Sequence, residues 1–392
     1  MRFYSRLLLA AFIFLFISSS SHAFNQYASA DRLVVNVPFN TPKSSKIFMT
    51  GDFCDWKVRC VQLLRLNEFS FGTGLSSAMR SSSFKISRGS WESEAANSWG
   101  EALPNLHWHS FRQEVGSVIL DVVNWKDLGE LKTVGTFVEI DSLDSPQLDN
   151  ARPMSVWLPP GYDEETNRRY PVIYMHDGQN VFDPRKASFG VDWSVDDVLT
   201  QMIYSGAATP TIVVGVHHKV RGREYNDEDL GRLYSRFLVE TVKPYIDENF
   251  RTRPDRRHTL LMGSSFGGVI SLTTLFRYPY VFSKAAALSI KSHGFRSMLD
   301  RFLTRVNPPQ NVSLYMDNGD SGIDSSYVTP NRQFASTLRS YGFTNFVHRE
   351  FSYADHNETA WARRLHIPLT FLLEDLRPVE QLPDACFDRI DP

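Results

Sequence analysis

Gly263-Ser264-Ser265-Phe266-Gly267-Gly268 sets Ser265 in a G-x-S-x-G frame. An apolar stretch suited to a strand, 258–262, runs into it, and a stretch suited to a helix, 269–276, leaves it. A serine on a sharp strand-to-helix turn is lifted above its sheet, where a histidine can take its proton and make it an acyl-transfer nucleophile. The glycines suit such a turn because its backbones approach too closely for a Cβ. The same pattern also fits a glycine-rich turn carrying a solvated serine. The chemistry therefore depends on finding a base, an acid and an oxyanion hole elsewhere in the chain.

The histidines after Ser265 are His293, His348, His356 and His366. His356 lies in the polar loop Tyr353-Ala-Asp-His-Asn-Glu-Thr-Ala-Trp361, after the strand-like 346–351, and is the expected base. His348 falls inside that strand and His366 beside Pro368, whereas His293 follows the strand-like 285–290 and could line a pocket. In the serine–acid–histidine order the acid comes between, and Asp317-Asn-Gly-Asp-Ser-Gly-Ile-Asp324 supplies three carboxylates. Asp317 suits the turn itself, and Asp320 and Asp324 both remain open as the acid. An EF-hand reading of this segment fails, because its third position is Gly319. The oxyanion hole needs the N–H of Phe266, after the nucleophile, and a second N–H from an earlier strand end. Gly178 closes such a strand, which leaves Gln179 as the second donor. His176 and Asp177 at the same strand end read as loop-shaping residues, with no third ligand near them for a metal. Arg223 and Glu224 fit either the rim of a substrate pocket or a surface ion pair.

These residues need a frame. From about residue 131, near-continuous apolar strands at 136–140, 154–158, 172–175, 211–216, 258–262, 285–288 and 312–316 alternate with helical periodicity at 193–203 and 233–246. That pattern predicts an α/β domain with a mostly parallel sheet covered by helices on both faces. The chain has 392 residues, a net charge of −2, 42% hydrophobic and 13% aromatic residues, enough for two domains with ample cores. There is no basic footprint for nucleic acid. Three cysteines without metal-ligand spacing argue against a zinc site.

The first 125 residues read differently. Arg2 and Arg6 precede the apolar run 7–17 and then Ser18-Ser-Ser-Ser-His-Ala23. This predicts a signal peptide over 1–23, cut near Ala23, and an exported protein, periplasmic or secreted. The run is too short to span a bilayer comfortably, and no cysteine follows it for a lipid anchor, so no stable membrane insertion is expected after cleavage. Cys54 and Cys60 could close a small disulfide loop, or stay free, with Cys386 left over. Residues 31–125 alternate in short strands between turns, which predicts a small β-sandwich. Trp56 and Trp91 read as core residues of it, while Trp99 and Trp108, in polar surroundings, are the candidates for stacking on a sugar.

Two resemblances follow. Thr50-Gly-Asp-Phe-Cys-Asp-Trp56, Phe84-Lys-Ile-Ser-Arg-Gly-Ser-Trp-Glu92 and Asn105 resemble starch-binding-type modules and related immunoglobulin-like domains. Tyr170-Pro-Val-Ile-Tyr-Met-His-Asp-Gly-Gln-Asn-Val-Phe-Asp183 resembles the esterase branch of the α/β-hydrolases that includes enterochelin, feruloyl and acetylxylan esterases and mycolyltransferase-like proteins. In order after it, Val214-Gly-Val216 with Arg223-Glu-Tyr225, set against the branch's V-V-G-I and R-x-x-E-Y segment, then 237–252, Gly263–Gly268 and Asp355-His-Asn-Glu-Thr-Ala-Trp361 match the same branch. The resemblance covers 131–376, leaves 377–392 as a tail, and implies an α/β-hydrolase fold. It implies a serine esterase with Ser265 as nucleophile, His356 as base, Gln179 and Phe266 at the oxyanion, and no cofactor. It favours Asp324 over Asp320 as the acid, although Asp320-Ser321 departs from the branch's usual Thr-Glu and some members work with a dyad. The expected substrate is a small or polysaccharide-linked ester, with a glycan as candidate ligand of the N-terminal module. The alternatives are a siderophore trilactone esterase, or a non-catalytic carbohydrate-binding protein on a hydrolase fold.

Overall fold

The computed structural model describes residues 32–376 apart from 39–40, 68, 98–99, 108–111, 115–116, 123, 130–134, 205, 227 and 291–301. The signal-peptide segment, the tail 377–392, Trp99, Trp108, His293 and Cys386 lie outside the described residues. Contacts divide the chain into two compact units, Met1–Val37 with Pro42–Gly129, and Pro38–Thr41 with Glu130–Pro392.

The second unit is built on eight strands: β1 (Thr136–Ser145), β2 (Asn150–Leu158), β3 (Val172–His176), β4 (Ile212–Val216), β5 (Thr259–Ser264), β6 (Lys284–Leu288), β7 (Ser313–Gly319) and β8 (Phe346–Phe351). Their order in the sheet is β1-β2-β4-β3-β5-β6-β7-β8. The β1–β2 and β2–β4 pairs are antiparallel, and every pair from β4 to β8 is parallel. From β4 to β7 both faces of the sheet are buried, and the edge strand β8 is partly exposed. Along β3, Val172 and Tyr174 enter one apolar cluster, and Ile173 and Met175 enter another. The two-residue period of a strand thus feeds two cores at once, which is why these strands read as unbroken apolar runs.

The helices cover those two faces. Helices α2 (Asp229–Phe237), α3 (Lys243–Asn249), α4 (Phe266–Arg277) and α5 (Val328–Ser340) give Phe237, Ile246, Leu272 and Phe334 to the first cluster. Helices α1 (Val195–Tyr204), α6 (Glu358–Arg364) and α7 (His366–Leu373) give Leu199, Trp361 and Leu369 to the second. The helical pattern at 233–246 is continuous in space but not regular, because a π-helical turn, Leu238–Val242, joins α2 to α3. Pro244 stands at the start of α3. It has no N–H to offer the preceding turn, so a widened turn there is the local remedy. Among the described residues no helix is long and apolar enough to cross a membrane.

The first unit is mainly β, with a short α-helix at Ser77–Arg80. One sheet runs Leu64–Arg65, Ser70–Gly74, Arg32–Asn36, Ser117–Asp121, Arg112–Glu114, and another runs Val61–Gln62, Phe48–Gly51, Phe84–Ser87. Leu33, Val35, Phe71 and Leu120 of the first share a buried cluster with Met49, Phe84 and Ile86 of the second. The tryptophan in that cluster is Trp125, fully buried. This corrects the sequence expectation for Trp56 and Trp91. Trp91 lies past the end of its strand, 38% exposed. Trp56 sits in a left-handed turn at φ 58° with its indole N–H donated to Asp52 Oδ1 at 2.8 Å, so its own turn holds it rather than the core. Cys54 and Cys60 are joined as a disulfide across a Cα–Cα distance of 6.4 Å.

Candidate active site

Ser265 stands between β5 and α4, as the N-cap of α4, with φ 54° and ψ −122°. A side chain pays about 1–3 kcal/mol for such backbone, so the surroundings must enforce it. The Ser265 N–H donates to Leu288 O at the end of β6 (2.8 Å), and its C=O accepts from Val269 N–H in the first turn of α4 (3.1 Å). Glycine is required at 263 and eases the packing at 267. A Cβ on Gly263 would lie 2.6 Å from the backbone carbon of Gly267, and one on Gly267 would press on Asp177 and His176 at 3.2 and 3.3 Å. The G-x-S-x-G frame is thus the sequence trace of a strand and a helix touching through their backbones.

His356 stands on the loop between β8 and α6. Its Nδ1 is 2.7 Å from Asp324 Oδ1, and its ring meets Trp361 and Tyr327 edge to face at 5.1 and 5.3 Å. Asp324 is fully buried, turned inward by the 3-10 turn Gly322–Ser326 after β7. Its Oδ2 accepts from Ser289 Oγ (2.6 Å) and from Gly319 N–H (2.7 Å). Burial works against its charge, but His356, Ser289 and Gly319 outweigh that and hold the carboxyl below its ordinary value. Of the two acids left open by the sequence, the one facing the histidine is Asp324. Asp320 Oδ1 accepts from Tyr353 N–H (2.7 Å) and Ser321 Oγ (3.2 Å), tying down the loop that leads to His356. Asp317 is paired with Arg364 (2.9 Å).

The strand ends place these groups together. Ser265 follows β5, and Gln179 follows its neighbour β3, within the 3-10 turn Gly178–Asn180. Gly178 is packed so closely on Gly215 that a Cβ would fall 2.3 Å from the Gly215 carbonyl carbon. The Gln179 side chain is engaged by His218, with Nε2 2.9 Å from Nδ1. Phe266 is the first residue of α4 and Gln179 the second of its 3-10 turn, so both candidate oxyanion amides lie in the opening turn of a helical segment at the carboxyl ends of adjacent strands.

One residue of this site was missed by sequence. Arg221 grips Asp177 through Nε–Oδ1 (2.7 Å) and Nη2–Oδ2 (2.8 Å), and its Nη2 also reaches Ser264 O at 3.3 Å. Burial disfavours the Asp177 charge, yet His218 and Arg221 hold the carboxyl below its ordinary value. Arg221 therefore straps the β3 strand end to the residue before Ser265. The signal was present in the R-x-x-E-Y spacing, which Arg221, Glu224 and Tyr225 satisfy and Arg223 does not.

Two rim expectations need correction or restriction. Glu224 does not face a pocket. It is buried and paired with Arg152, Nη1–Oε2 3.0 Å and Nη2–Oε1 3.2 Å, and accepts from Lys219 N–H at 3.1 Å. A one-turn helix, Arg221–Glu224, points its last residue inward, so the pair with Arg223 does not form. Arg223 itself is exposed. His348 stays in β8, bonded to Asn318 (3.1 Å), and His366 opens α7. Arg152→Ala would leave the Glu224 carboxylate buried without its cation. That should cost about 3–5 kcal/mol of unfolding free energy, read as a lower urea midpoint at unchanged slope.

Among the described residues no group of three His, Cys, Asp or Glu is placed to hold a metal ion. The fold is a mostly parallel sheet that sets Ser265, Asp324 and His356 after strand ends at its carboxyl edge. Residues 145–371 match the family model described as "Putative esterase". The chain belongs to this family and is a carboxylic-ester hydrolase. It is similar to the endo-1,4-beta-xylanase/feruloyl esterase of Xylanibacter ruminicola, 26% identical over 142 residues, 34% of this chain and 19% of that protein. It is also similar to the ferri-bacillibactin esterase BesA of Bacillus subtilis, 24% identical over 170 residues, 37% of this chain and 58% of that protein. The chain thus spans less than two thirds of either relative. In fold it is similar to the enterobactin esterase FES from Shigella flexneri, at TM-score 0.52 and 13% identity, over 86% of this chain and 91% of that one.

Proposed function

We propose that this protein is an exported serine esterase working through an acyl-enzyme. The observation that carries the reading is the 2.7 Å His356–Asp324 hydrogen bond, carried on segments that follow strand ends at the same sheet edge as Ser265, itself held at positive φ. Ser265 Oγ attacks the ester carbonyl while His356 Nε2 takes its proton. The amides of Gln179 and Phe266 hold the oxyanion as the carbonyl becomes tetrahedral. The imidazolium, steadied by Asp324, then protonates the departing alcohol, and water repeats the steps on the acyl-serine. Arg221 keeps the two strand ends in register, so that the amides and the serine face one carbonyl.

Export is supported by the N-terminal pattern of 1–23 and by the Cys54–Cys60 disulfide, a bond that persists in oxidising compartments. For the first unit we propose a starch-binding-like module, its exposed Trp91 being available to stack on a sugar. A second reading, a siderophore trilactone esterase, is favoured by the likeness to FES, whose 86% coverage reaches beyond the second unit. One assay separates the two: initial rates on feruloylated and acetylated xylan against a ferric catecholate trilactone. The leading reading expects turnover of at least one xylan ester in excess of the trilactone. Turnover confined to the trilactone would establish the second reading.

A further inference from the structure

Ser289 follows β6, adjacent to Leu288, whose carbonyl holds the Ser265 amide. It is fully buried and has φ 44°, a left-handed conformation that a residue with a Cβ adopts at a cost. Its hydroxyl has three partners: Trp361 Nε1 at 2.9 Å, Arg364 Nη2 at 2.9 Å and Asp324 Oδ2 at 2.6 Å. Indole and guanidinium N–H groups only donate, so they occupy the oxygen's two lone pairs. One proton remains on the hydroxyl, and it must point at Asp324.

The direction of the next bonds is then fixed. Asp324 Oδ2 receives both the Ser289 hydroxyl and Gly319 N–H, and Oδ1 faces His356 Nδ1. A carboxylate accepting at both oxygens requires the proton of a neutral His356 on Nδ1, which leaves Nε2 as the free base. Beyond Ser289, Arg364 is doubly bonded to Asp317, Nη2–Oδ1 2.9 Å and Nε–Oδ2 3.1 Å, and Tyr315 OH donates to Asp317 Oδ2 at 3.1 Å. In the resting site this buried group holds two carboxylates and one guanidinium. It is charge-balanced only once His356 has taken the proton of Ser265. A buried network matched to the imidazolium stabilises the reacting state more than the resting one.

We propose that Ser289 is a positioning residue of the esterase. Its hydroxyl orients the Asp324 carboxylate, selects the Nδ1–H tautomer of His356, and links both to the Arg364–Asp317 pair. This rests on the serine-esterase reading above. The ionisable groups facing His356 are Asp324, Tyr327 of the turn before α5, Asp355 beside it, and Glu358 on α6. Losing the Ser289 donor concentrates negative charge on the Asp324 oxygen facing the ring, which favours the imidazolium.

The test compares Ser289→Ala, Ser289→Gly and Ser289→Cys with the wild type and Ser265→Ala on p-nitrophenyl acetate. Ser289→Gly relieves the backbone while removing the hydroxyl, so a purely conformational role predicts that it keeps activity. The proposal expects kcat to fall roughly ten- to a hundredfold in the Ala and Gly variants with KM within about twofold. The acid limb of the kcat/KM profile should move to higher pH, and Ser289→Cys, with its weak S–H donor, should recover part of the loss. Unchanged kcat in Ser289→Gly, or a loss without movement of the acid limb, overturns the proposal. If Ser265→Ala retained wild-type activity, the serine-esterase reading itself would fail, a different outcome from unaltered Ser289 variants beside an inactive Ser265→Ala.

Discussion

Ser265→Ala should lower kcat/KM on p-nitrophenyl acetate by a factor on the order of 10⁴ or more while leaving the fold intact. The size follows from what the position does. Ser265 carries the atom that forms the covalent bond, and no other hydroxyl is presented on this elbow, because Ser264 is buried in β5. The fold should tolerate the change. The strained backbone is held by bonds to Leu288 and Val269 that use only main-chain atoms, and alanine keeps all of them. The unfolding midpoint should therefore move little while activity collapses, and rates per folded molecule separate the two. Equal activity in wild type and variant would place the chemistry elsewhere.

Asp324→Asn should cost a factor on the order of 10²–10⁴ in kcat with little change in KM. The argument is one of proton direction rather than charge alone. The Oδ2 position of Asp324 receives two donors, Ser289 Oγ–H and Gly319 N–H, so the carboxamide must keep its oxygen there. Its NH₂ group then faces His356 Nδ1 as a donor. The imidazole is forced to accept at Nδ1 and to carry its proton on Nε2, the nitrogen that must be free to deprotonate Ser265. Asp320→Asn, by contrast, loses only bonds that shape the loop at Tyr353 and Ser321. It should reduce kcat far less than Asp324→Asn. The reverse ranking of the two variants in initial-rate assays would show that the acid had been misassigned.

The elbow was readable from sequence because its constraint is local. Two glycines that allow backbone contact, a strand before and a helix after are all within fifteen or so residues of Ser265. The sheet was readable for a related reason, since strands buried on both faces must be apolar throughout. Its antiparallel start was not, because β1 carries exposed residues on a sheet edge and pairing direction leaves no periodic mark.

The acid could not be chosen from residues alone. Three aspartates lie within eight positions of one loop, and only the 3-10 turn Gly322–Ser326 decides which carboxyl turns toward His356. The Arg221 strap was passed over for Arg223, two residues away, although the motif spacing pointed to Arg221. Glu224 looked like a rim residue because its partner, Arg152, is 72 positions distant. Ser289 had no signal at all. A serine after a strand is ordinary until Trp361 and Arg364, both on α6, are folded against it. In the first unit, Trp125 takes the core place expected of Trp56 and Trp91, because the latter two fall in turns rather than on inward-facing strand positions.

The most direct test of the central claim is covalent capture. The protein is incubated with an alkyl fluorophosphonate, residual esterase activity is followed, and the tryptic peptide 258–277 is examined by mass spectrometry. The expected result is one adduct per chain on Ser265, with activity lost in proportion to labelling and neither effect in Ser265→Ala or Asp324→Asn at matched times. Labelling at a different residue that abolishes activity, or full labelling of Ser265 with activity intact, would contradict it.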